Sequence, residues 1–442
     1  MNKTNPFITI CSNNGSNKMN AFFTKAKDYL ANAGIYLTAS LISSLLAVLI
    51  NPLLAMNLSP EDYAVSTYYT SFSLLYGPVM GFFITDFYLR KYYLLSNDDL
   101  FKLKGNVIKL FIWFSGAVSV VCLLGLYAFV KGVHVSFDFF PYAALAVFQS
   151  FLGLLFTFQQ AEYKIARQAK PYFWTSVIFG VINTVLSLLL VVVIKYGAVG
   201  KMTASFLGSL IPFLWVLLKN RQYLNVKLDK QIFKQIFSYG YPLVLAASLT
   251  YFTNGYDKVV LERGGDIISL GYYSVACSIA AYITIFSNAI KGTFQPDMYQ
   301  AIAQKNVKKV VGVAMLVIAS VGAIVLLYII FCPFLIRILT AGRYMESTEM
   351  SRIVSISVLT STIYYQISQF TYGTGHSKLT LINKIVGTVI NIGLIIWLIH
   401  NYGAIGAAWS SVLGYVVFAI GNILLLLIIR KKLFEKNEIK NT

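Results

Sequence analysis

The sequence predicts an all-α polytopic membrane protein of about twelve transmembrane helices, arranged as two six-helix lobes around a central cavity. Its composition supports this fold class, because 57% of the 442 residues are hydrophobic and only 12% are charged. Soluble domains carry about 25% charged residues. Apolar runs of about 20 residues, the length that crosses about 30 Å of hydrocarbon, recur along the whole chain. An internal repeat, described below, divides these runs into two halves.

Twelve apolar runs can be counted, and their connections are too short to hold an extramembrane domain. The predicted spans are residues 33–56, 65–88, 106–130, 140–160, 172–194, 198–218, 239–257, 269–290, 309–332, 351–372, 381–399 and 403–429. The predicted domains are a cytoplasmic tail at 1–32, a first lobe at 33–219, a cytoplasmic linker at 220–237, a second lobe at 238–430 and a cytoplasmic tail at 431–442.

The formal net charge of +19 could suggest a nucleic-acid partner, so the positions of the charges matter. If the N-terminus is cytoplasmic, 27 of the 36 Lys and Arg residues fall on the cytoplasmic side, eight fall outside, and Lys109 lies within a span. This is the positive-inside bias that sets the orientation of membrane proteins. It predicts cytoplasmic N- and C-termini and argues against nucleic-acid binding.

Sequence motifs for metal binding, redox chemistry and catalysis are absent. The segment from Gly373 to Lys378 resembles a phosphate loop but lacks its spacing, and it follows a membrane span instead of a strand. The first 32 residues hold no apolar segment of signal-peptide length. We therefore expect no enzyme activity and no metal. The four cysteines are too far apart for metal-ligand or redox pairs: Cys11, Cys122, Cys277 and Cys332.

The first lobe contains a predicted hinge and a predicted helix start. Asn51-Pro52, near the outer end of the first span, would free backbone groups, which membranes tolerate only where they face protein or a water-filled cavity. Pro52 is therefore a hinge candidate. Ser59–Asp62 has proline at the first helical position and carboxylates in the first turn, which is typical of a helix N-terminus.

The internal repeat relates residues 170–208 to residues 378–414. Three motifs recur in order: Val181-Ile182-Asn183 as Val389-Ile390-Asn391, Tyr196–Gly200 as Tyr402–Gly406, and Leu207-Gly208 as Leu413-Gly414. More loosely, the turn at Pro60–Ser66 corresponds to Ile268–Ser274. Each half has an even number of spans, so the halves must be parallel repeats about an axis along the membrane normal. A cavity between the two lobes is the expected substrate site.

The stretch from Phe237 to Tyr273 organises the second lobe. Tyr239–Pro242 leads into about a dozen small and apolar residues, Asp257-Lys258 interrupts them, and Gly271–Tyr273 opens the next helix. Pro242 is the second hinge candidate. Together with the Leu58–Ala64 turn and the repeated Tyr-Gly-Ala hairpins, this pattern resembles the Wzx-type O-antigen flippases of the multidrug/oligosaccharidyl-lipid/polysaccharide (MOP) exporter superfamily. Ala64 stands where that family usually has glycine.

This resemblance implies a flippase of the bacterial inner membrane. The implied substrate is an undecaprenyl-pyrophosphate-linked oligosaccharide, the repeat unit of O-antigen, capsule or a related glycan. The implied mechanism is alternating access, in which basic residues hold the pyrophosphate while the lipid tail stays in the bilayer between the lobes. The resemblance also implies no cofactor and coupling to H⁺, to Na⁺ or to no ion. Membrane lipids, a glycan polymerase and a chain-length regulator are the implied partners.

Charged residues within spans are the candidate site residues, because a charge in lipid is costly. We expect Lys258 to lie in the cavity and bind the anionic head group, with Asp257 ordering it or binding a cation. Adjacent helical residues point about 100° apart, so we do not expect this pair simply to neutralise itself. The alternative places both residues at a helix end in the outer membrane interface.

Four other basic residues are candidate substrate contacts at the cytoplasmic side: Arg90, Lys109, Lys291 and Lys384. The stem of Lys109 could carry its charge to the cytoplasmic surface, which is the favoured interpretation. The other three end or begin spans, where the positive-inside bias alone could explain them. Asn183 and Asn391 occupy equivalent positions and favour interhelical hydrogen bonds. A cation shared by Asn391 and Asp257 is the alternative.

Two rival functions remain open at this point. A multidrug/cation antiporter of the same superfamily should hold cationic drugs with acidic residues. Carboxylates within the predicted spans are nearly absent, with Asp257 and Asp86 as the exceptions. A membrane-embedded glycan polymerase or ligase would need a large periplasmic loop with catalytic Arg or His, and no predicted loop is long enough.

Overall fold

The computed structural model describes residues 38, 42, 45, 46, 48–304, 306–373 and 377–438, and every regular element in these ranges is helical. Seven of the described helices are long and apolar enough to cross a membrane. The number is eight if the bent pair Pro60–Gly81 and Ile84–Lys91 forms one span. The prediction of an all-helical membrane protein is confirmed. The predicted tail at 1–32 lies outside the described residues.

The first half of the described chain contains eight α-helices. They are α1 (Val48–Asn57), α2 (Pro60–Ser71), α3 (Ser73–Gly81), α4 (Ile84–Lys91), α5 (Asn97–Val133), α6 (Tyr142–Ile165), α7 (Ala169–Ser187) and α8 (Gly197–Lys219). A π-helical segment, Leu188–Val193, follows α7 directly, and a 3₁₀-helix, Arg221–Asn225, follows α8. The core of this half is strongly aromatic, with Tyr68, Tyr69 and Phe72 packed edge to face.

The second half contains seven α-helices. They are α9 (Lys230–Ser248), α10 (Tyr251–Asn254), α11 (Tyr256–Arg263), α12 (Ile267–Ala303), α13 (Val307–Leu339), α14 (Ser347–Gly373) and α15 (Ser377–Glu438). Helix α15 is broken at Gly403, where φ is 54° and ψ is −133°. This break separates two of the predicted spans, because the apolar stretch Leu381–Leu427 has 47 residues. At 1.5 Å per residue that length is about twice the thickness of a bilayer core.

The predicted helix start at Ser59–Asp62 is present as a capping box. The Ser59 amide donates to Oδ2 of Asp62 at 2.9 Å, and the Asp62 amide donates to Oγ of Ser59 at 3.2 Å. The other carboxylate oxygen of Asp62 accepts the Ala198 amide at 2.7 Å. One carboxylate therefore satisfies otherwise unpaired amides at the starts of both α2 and α8.

The sequence repeat corresponds to a repeated local geometry. Gly197 and Gly403, the second residues of the two Tyr-Gly-Ala motifs, both have φ of +54°, a region that glycine adopts without a steric penalty. A Cβ atom added at Gly208 would collide with Oδ1 of Asn183, and one at Gly414 would collide with Oδ1 of Asn391. In each half the repeated asparagine therefore packs against the repeated glycine. Asn183 of α7 meets Gly208 of α8, and Asn391 meets Gly414 across the break in α15.

Neither predicted hinge proline lies at a break. Pro52 lies inside α1 and Pro242 lies inside α9, and both helices continue through them. The break expected at Asn51-Pro52 is therefore wrong for the described geometry. Proline removes one N–H donor, and a helix whose neighbours pack well can tolerate this. A break does occur at Phe82 and Phe83, both with positive φ, where the helix axis bends by 46°.

The linker between the halves is fixed to α5. The Nζ of Lys109 donates to the carbonyl oxygen of Val226 at 2.6 Å, and Oδ1 of Asn106 accepts the Asp229 amide at 2.8 Å. Lys109 thus contacts the segment that joins the two halves, and its reach to the cytoplasmic surface stays a prediction. Helix α9 begins at Lys230, so residues 230–237 of the predicted linker form its first two turns.

The contact between Asn391 and Gly414 yields a stability prediction. We expect Gly414→Ala to destabilise the protein by about 1–3 kcal/mol, because the new methyl group overpacks against a buried amide. Gly393→Ala, in the same long helix with no atom within 4 Å of the new Cβ, is the matched control. It should be neutral or slightly stabilising. Thermal unfolding of the two purified variants checks this, and equal melting temperatures would contradict the packing argument.

Candidate functional site

At the start of the second half, the helical segment from Lys230 to Arg263 is broken into α9, α10 and α11, and this break is the first candidate site. Helix α9 ends at Ser248, and Leu249 and Thr250 keep right-handed helical angles in the turn before α10. The backbone leaves helical geometry at Gly255, where φ is −137° and ψ is −32°. A break inside a membrane leaves backbone groups that protein must satisfy. Four of the predicted site residues gather here: Asp257, Lys258, Lys384 and Asn391.

Asp257 and Lys258 form a buried ion pair in the first turn of α11. The Nζ of Lys258 lies 3.1 Å from both carboxylate oxygens of Asp257 and also donates to the carbonyl oxygen of Asn254 at 3.2 Å. Lys258 is only 7% exposed and Asp257 only 1% exposed. The expectation that adjacent residues would not neutralise each other is wrong, because the four-carbon stem of lysine is long enough to fold back onto its neighbour.

A second donor to Asp257 comes from α12, where the hydroxyl of Tyr273 donates to Oδ2 of Asp257. The same hydroxyl lies 3.5 Å from Oγ of Ser411, in the second part of α15. These side chains line a cavity of about 270 Å³ within the second lobe, beside Cys277. Sequence reasoning singled out the Gly271–Tyr273 motif as a helix start but did not connect Tyr273 to Asp257. Tyr273 lies 16 residues from Asp257, on another helix.

Asn391 and Lys384 hold the other side of the break. The Nδ2 of Asn391 donates to the carbonyl oxygen of Phe252 at 3.2 Å, and the Nζ of Lys384 donates to Oγ1 of Thr250 at 3.1 Å. The buried Oδ1 of Asn391 has no hydrogen-bond partner among the described residues. The favoured role of Asn391 as an interhelical hydrogen-bond donor agrees with this geometry. Within the described chain, Asn391 and Asp257 share no hydrogen-bond partner.

A larger cavity of about 740 Å³ lies between the lobes and is the second candidate site. It is bounded by one face of α4 and one face of α9. Its cations are Arg90 and Lys91 from the first lobe and Lys234 from the second, and no carboxylate occurs among its described lining residues. Spacing explains the two faces, since lining residues recur at intervals of three and four. They are Phe87, Arg90 and Lys91 on α4, with Leu94 in the turn directly after it, and Gln231, Lys234, Gln235, Ser238 and Tyr239 on α9.

The predicted basic residues are therefore not gathered at one point. Arg90 lines the cavity between the lobes, Lys258 and Lys384 contact the helix break, and Lys109 contacts the linker. The Nζ of Lys291, on α12, lies 5.3 Å from the ring centroid of Tyr365. Lys91 and Lys234 complete the cavity. Lys91 directly follows Arg90 in the sequence, but no local pattern relates Lys234 to either residue.

The two halves of the described chain are closed against each other before the start of α2, whereas the cavity lies at the end of α4; we call this contact the closed end. The hydroxyl of Tyr344 donates to the carbonyl oxygen of Leu58 at 2.7 Å, and Nδ2 of Asn51 donates to that of Leu339 at 3.0 Å. Arg343 donates to two carbonyl oxygens at the end of α1. Burial raises the pKa of Tyr344, so its hydroxyl stays protonated and able to donate.

The fold defines the class of protein. A lipid II flippase, MurJ, in an inward closed conformation aligns with a TM-score of 0.68, covering 88% of this chain and 87% of that chain at 15% identity. An inward-facing multidrug resistance MATE transporter aligns with a TM-score of 0.61, covering 88% and 96% at 15% identity. The chain thus shares the fold of these two transporters, the second of which is described as a member of the MOP superfamily.

The chain belongs to the polysaccharide biosynthesis protein family, which it matches over residues 53–347. A Haemophilus influenzae (strain ATCC 51907 / DSM 11121 / KW20 / Rd) protein named "Uncharacterized membrane protein" is 23% identical over 285 residues, covering 63% of this chain and 67% of that protein. The present protein is accordingly a multi-pass membrane protein. No group of three or more His, Cys, Asp or Glu side chains that could hold a metal ion occurs within the described ranges.

The ion pair at the helix break yields the second prediction. Lys258→Met should lower the free energy of unfolding by about 3–5 kcal/mol, because it leaves the Asp257 carboxylate buried without its counter-charge. The double variant Asp257→Asn/Lys258→Met should recover most of this loss, since no unpaired charge remains. Thermal unfolding of both single variants and the double variant in detergent gives the coupling energy.

Lys308→Met, at an exposed lysine near the start of α13, is the matched control and should leave stability unchanged. If the double variant lost as much unfolding free energy as the two single variants together, the pairing of Asp257 with Lys258 would be contradicted. Because Lys258→Met is expected to reduce the amount of folded protein, the double variant is the better background for measurements of transport.

Proposed function

We propose that this protein is a flippase for undecaprenyl-pyrophosphate-linked oligosaccharides, the repeat units of O-antigen or a related surface polysaccharide such as that of lipopolysaccharide. It would move them from the cytoplasmic to the periplasmic leaflet of the bacterial inner membrane. Membership of the polysaccharide biosynthesis family and the MOP transporter fold support this proposal. One structural relative is named a lipid II flippase.

The cationic cavity between the lobes is the observation that carries the proposal. Its volume of about 740 Å³ is in the range of small-molecule sites, which run from about 300 to 1,000 Å³. Arg90 can bind a phosphate through two parallel hydrogen bonds, while Lys91 and Lys234 act as point charges. Three cations without a carboxylate among the described lining residues suit a pyrophosphate. A lipid tail could remain in the bilayer beside the cleft.

The proposed topology has twelve spans, cytoplasmic termini and two lobes at 33–219 and 238–430. The positive-inside bias supports this orientation and would put the cationic cavity on the cytoplasmic side, where lipid-linked precursors would be loaded. The closed end with Tyr344 and Asn51 would then face the periplasm. Alternating access would require the contacts of these residues with Leu58 and Leu339 to break as the lobes rock.

The helix break in the second lobe would have a different role. For Lys258 to bind pyrophosphate, it would have to leave Asp257 and the carbonyl oxygen of Asn254, so Arg90 is the better candidate for that contact. Lys384 likewise contacts Thr250. We propose that Lys258, Lys384 and Asn391 hold the broken helix and that Asp257 is the candidate for coupling to H⁺ or Na⁺.

A multidrug/cation antiporter is the second candidate function, and the similarity to an inward-facing MATE transporter favours it. An antiporter for cationic drugs needs negative charge where the drug binds. The cavity between the lobes instead holds Arg90, Lys91 and Lys234. We therefore rank the flippase first.

The third prediction concerns these cavity charges. In a deletion strain complemented with Arg90→Ala or Lys234→Ala, we expect flipping to fall at least about tenfold for each variant, since loss of one charge-assisted hydrogen bond of about 1.5–3 kcal/mol corresponds to a factor of about 10 to 150. Lys308→Ala removes an exposed charge from a distant helix end and is the control. The measurements are the surface glycan and the lipid-linked oligosaccharide retained on the cytoplasmic leaflet.

The deletion strain itself decides between the functions. Loss of surface glycan with precursor trapped inside supports a flippase. Normal glycan with increased sensitivity to cationic dyes supports the antiporter. Loss of glycan with precursor already outside would place the defect in a polymerase or ligase step. Full flipping by the Arg90→Ala/Lys234→Ala double variant would refute the role of this cavity.

A further inference from the structure

The two faces of the cavity between the lobes have different chemistry. The α4 face presents Arg90 and Lys91 beside apolar Phe87 and Leu94. The α9 face presents one cation, Lys234, together with neutral polar side chains and an aromatic ring: Gln231, Gln235, Ser238 and Tyr239. Amides and hydroxyls both donate and accept hydrogen bonds, whereas lysine and arginine only donate. The α4 face thus suits an anion, and the α9 face suits a group rich in hydroxyls.

The ring of Tyr239 lies where these two faces meet. The Cζ of Arg90 lies over this ring, 5.6 Å from its centroid, which is a cation–π contact. Phe87 packs edge-on against the same ring, with centroids 5.7 Å apart and planes inclined by 60°. Phe87 is only 5% exposed, so it is a fixed support that holds the orientation of the Tyr239 ring.

A phosphate entering this cavity competes with Tyr239 for Arg90. A cation–π contact at a partly exposed site is weak, while a paired hydrogen bond between a guanidinium and a phosphate is among the strong interactions in proteins. Arg90 is exposed and has a long flexible stem, so it can move to the phosphate. That movement uncovers the Tyr239 ring next to the bound anion. A sugar attached to the pyrophosphate would lie within this same region.

We infer that Tyr239 is the saccharide-recognising residue of the site. Once the pyrophosphate has drawn Arg90 away, the first sugar ring stacks its apolar C–H face on Tyr239. The hydroxyls of this sugar are hydrogen-bonded by the amides of Gln231 and Gln235 and by the hydroxyl of Ser238. This inference rests on the proposed function and extends it: Arg90 and Lys91, together with Lys234 of α9, hold the pyrophosphate, and the uncharged side chains of α9 hold the saccharide. Tyr239 would thereby distinguish a sugar-bearing lipid from the bare lipid pyrophosphate.

Binding to the purified full-length protein in nanodiscs tests this, and it provides the fourth prediction. The probes are undecaprenyl pyrophosphate without sugar and the native lipid-linked oligosaccharide extracted from the deletion strain. We expect Tyr239→Leu to weaken binding of the oligosaccharide lipid about two- to tenfold, as loss of one aromatic stacking contact predicts. Binding of the sugar-free lipid should be retained or slightly stronger, because Arg90 no longer contacts an aromatic ring. Retained binding of the sugar-free lipid also shows that the variant is folded.

Tyr239→Phe keeps the ring, removes only the hydroxyl, and should bind both lipids like the wild type. Arg90→Ala should weaken both lipids, because both carry the pyrophosphate. Equal weakening of the two lipids by Tyr239→Leu, or no weakening of either, would overturn the inference while leaving the flippase proposal standing. Loss of oligosaccharide binding in Tyr239→Phe would overturn the stacking contact and indicate instead a hydrogen bond from the Tyr239 hydroxyl to the sugar. Failure of the wild type to bind either lipid would overturn the proposed function and this inference with it.

Discussion

The structure depends on one constraint: a backbone group that leaves helical geometry inside a membrane must find its partner within the protein, because lipid offers none. The break between α9 and α11 meets this constraint with side chains. Lys258 and Asn391 bind the carbonyl oxygens of Asn254 and Phe252. Lysine carries a charge that itself needs a partner, and Asp257 supplies it. The buried ion pair is thus a consequence of the break. Removing one partner leaves a buried charge without its counter-charge, whereas removing both partners leaves no buried charge.

A comparison of the two lobes distinguishes the features that both share from the ion pair that only the second lobe has. Both lobes pack an asparagine against a glycine and use a glycine of φ +54° before the following helix. The turn at Pro60–Ser66 corresponds to Ile268–Ser274, which aligns Asp257 and Lys258 with apolar Leu49 and Ile50. A lobe of this fold can therefore form without the ion pair. A costly feature that one lobe has and the other lacks points to a role beyond packing.

The sequence predicts the parts of this structure that follow from local patterns. Hydrophobic runs predict the helical membrane fold, the Ser59–Asp62 motif predicts a capped helix start, and the repeat predicts the equivalence of Asn183 and Asn391. The errors concern contacts that no local pattern encodes. Proline identity does not reveal that α1 and α9 continue through Pro52 and Pro242, because the cost depends on neighbouring packing. The direction of the Cα–Cβ bond on a helix likewise does not predict the position of the Nζ atom of a lysine, because the side chain between them is flexible. The grouping of Arg90 with Lys234, 144 positions apart in the numbering, depends on how the lobes meet.

The closed end of the cleft sets part of the energy that the proposed cycle needs. Asn51, Arg343 and Tyr344 donate there to backbone carbonyl oxygens of the other half, and apolar residues of both halves pack around them. Each neutral hydrogen bond contributes about 0.5–1.5 kcal/mol net, so the hydrogen bonds add a few kcal/mol to the apolar packing. Shifting a two-state equilibrium from 1:99 to 99:1 needs about 5.5 kcal/mol of differential binding. A pyrophosphate held by three cations can supply energy on that scale only if the cations contact it differently in the two states. Arg90 and Lys91 are on one lobe and Lys234 is on the other, so rocking of the lobes would change the distance between these charges. The division of the cations between lobes is therefore what would let the head group favour one state over the other.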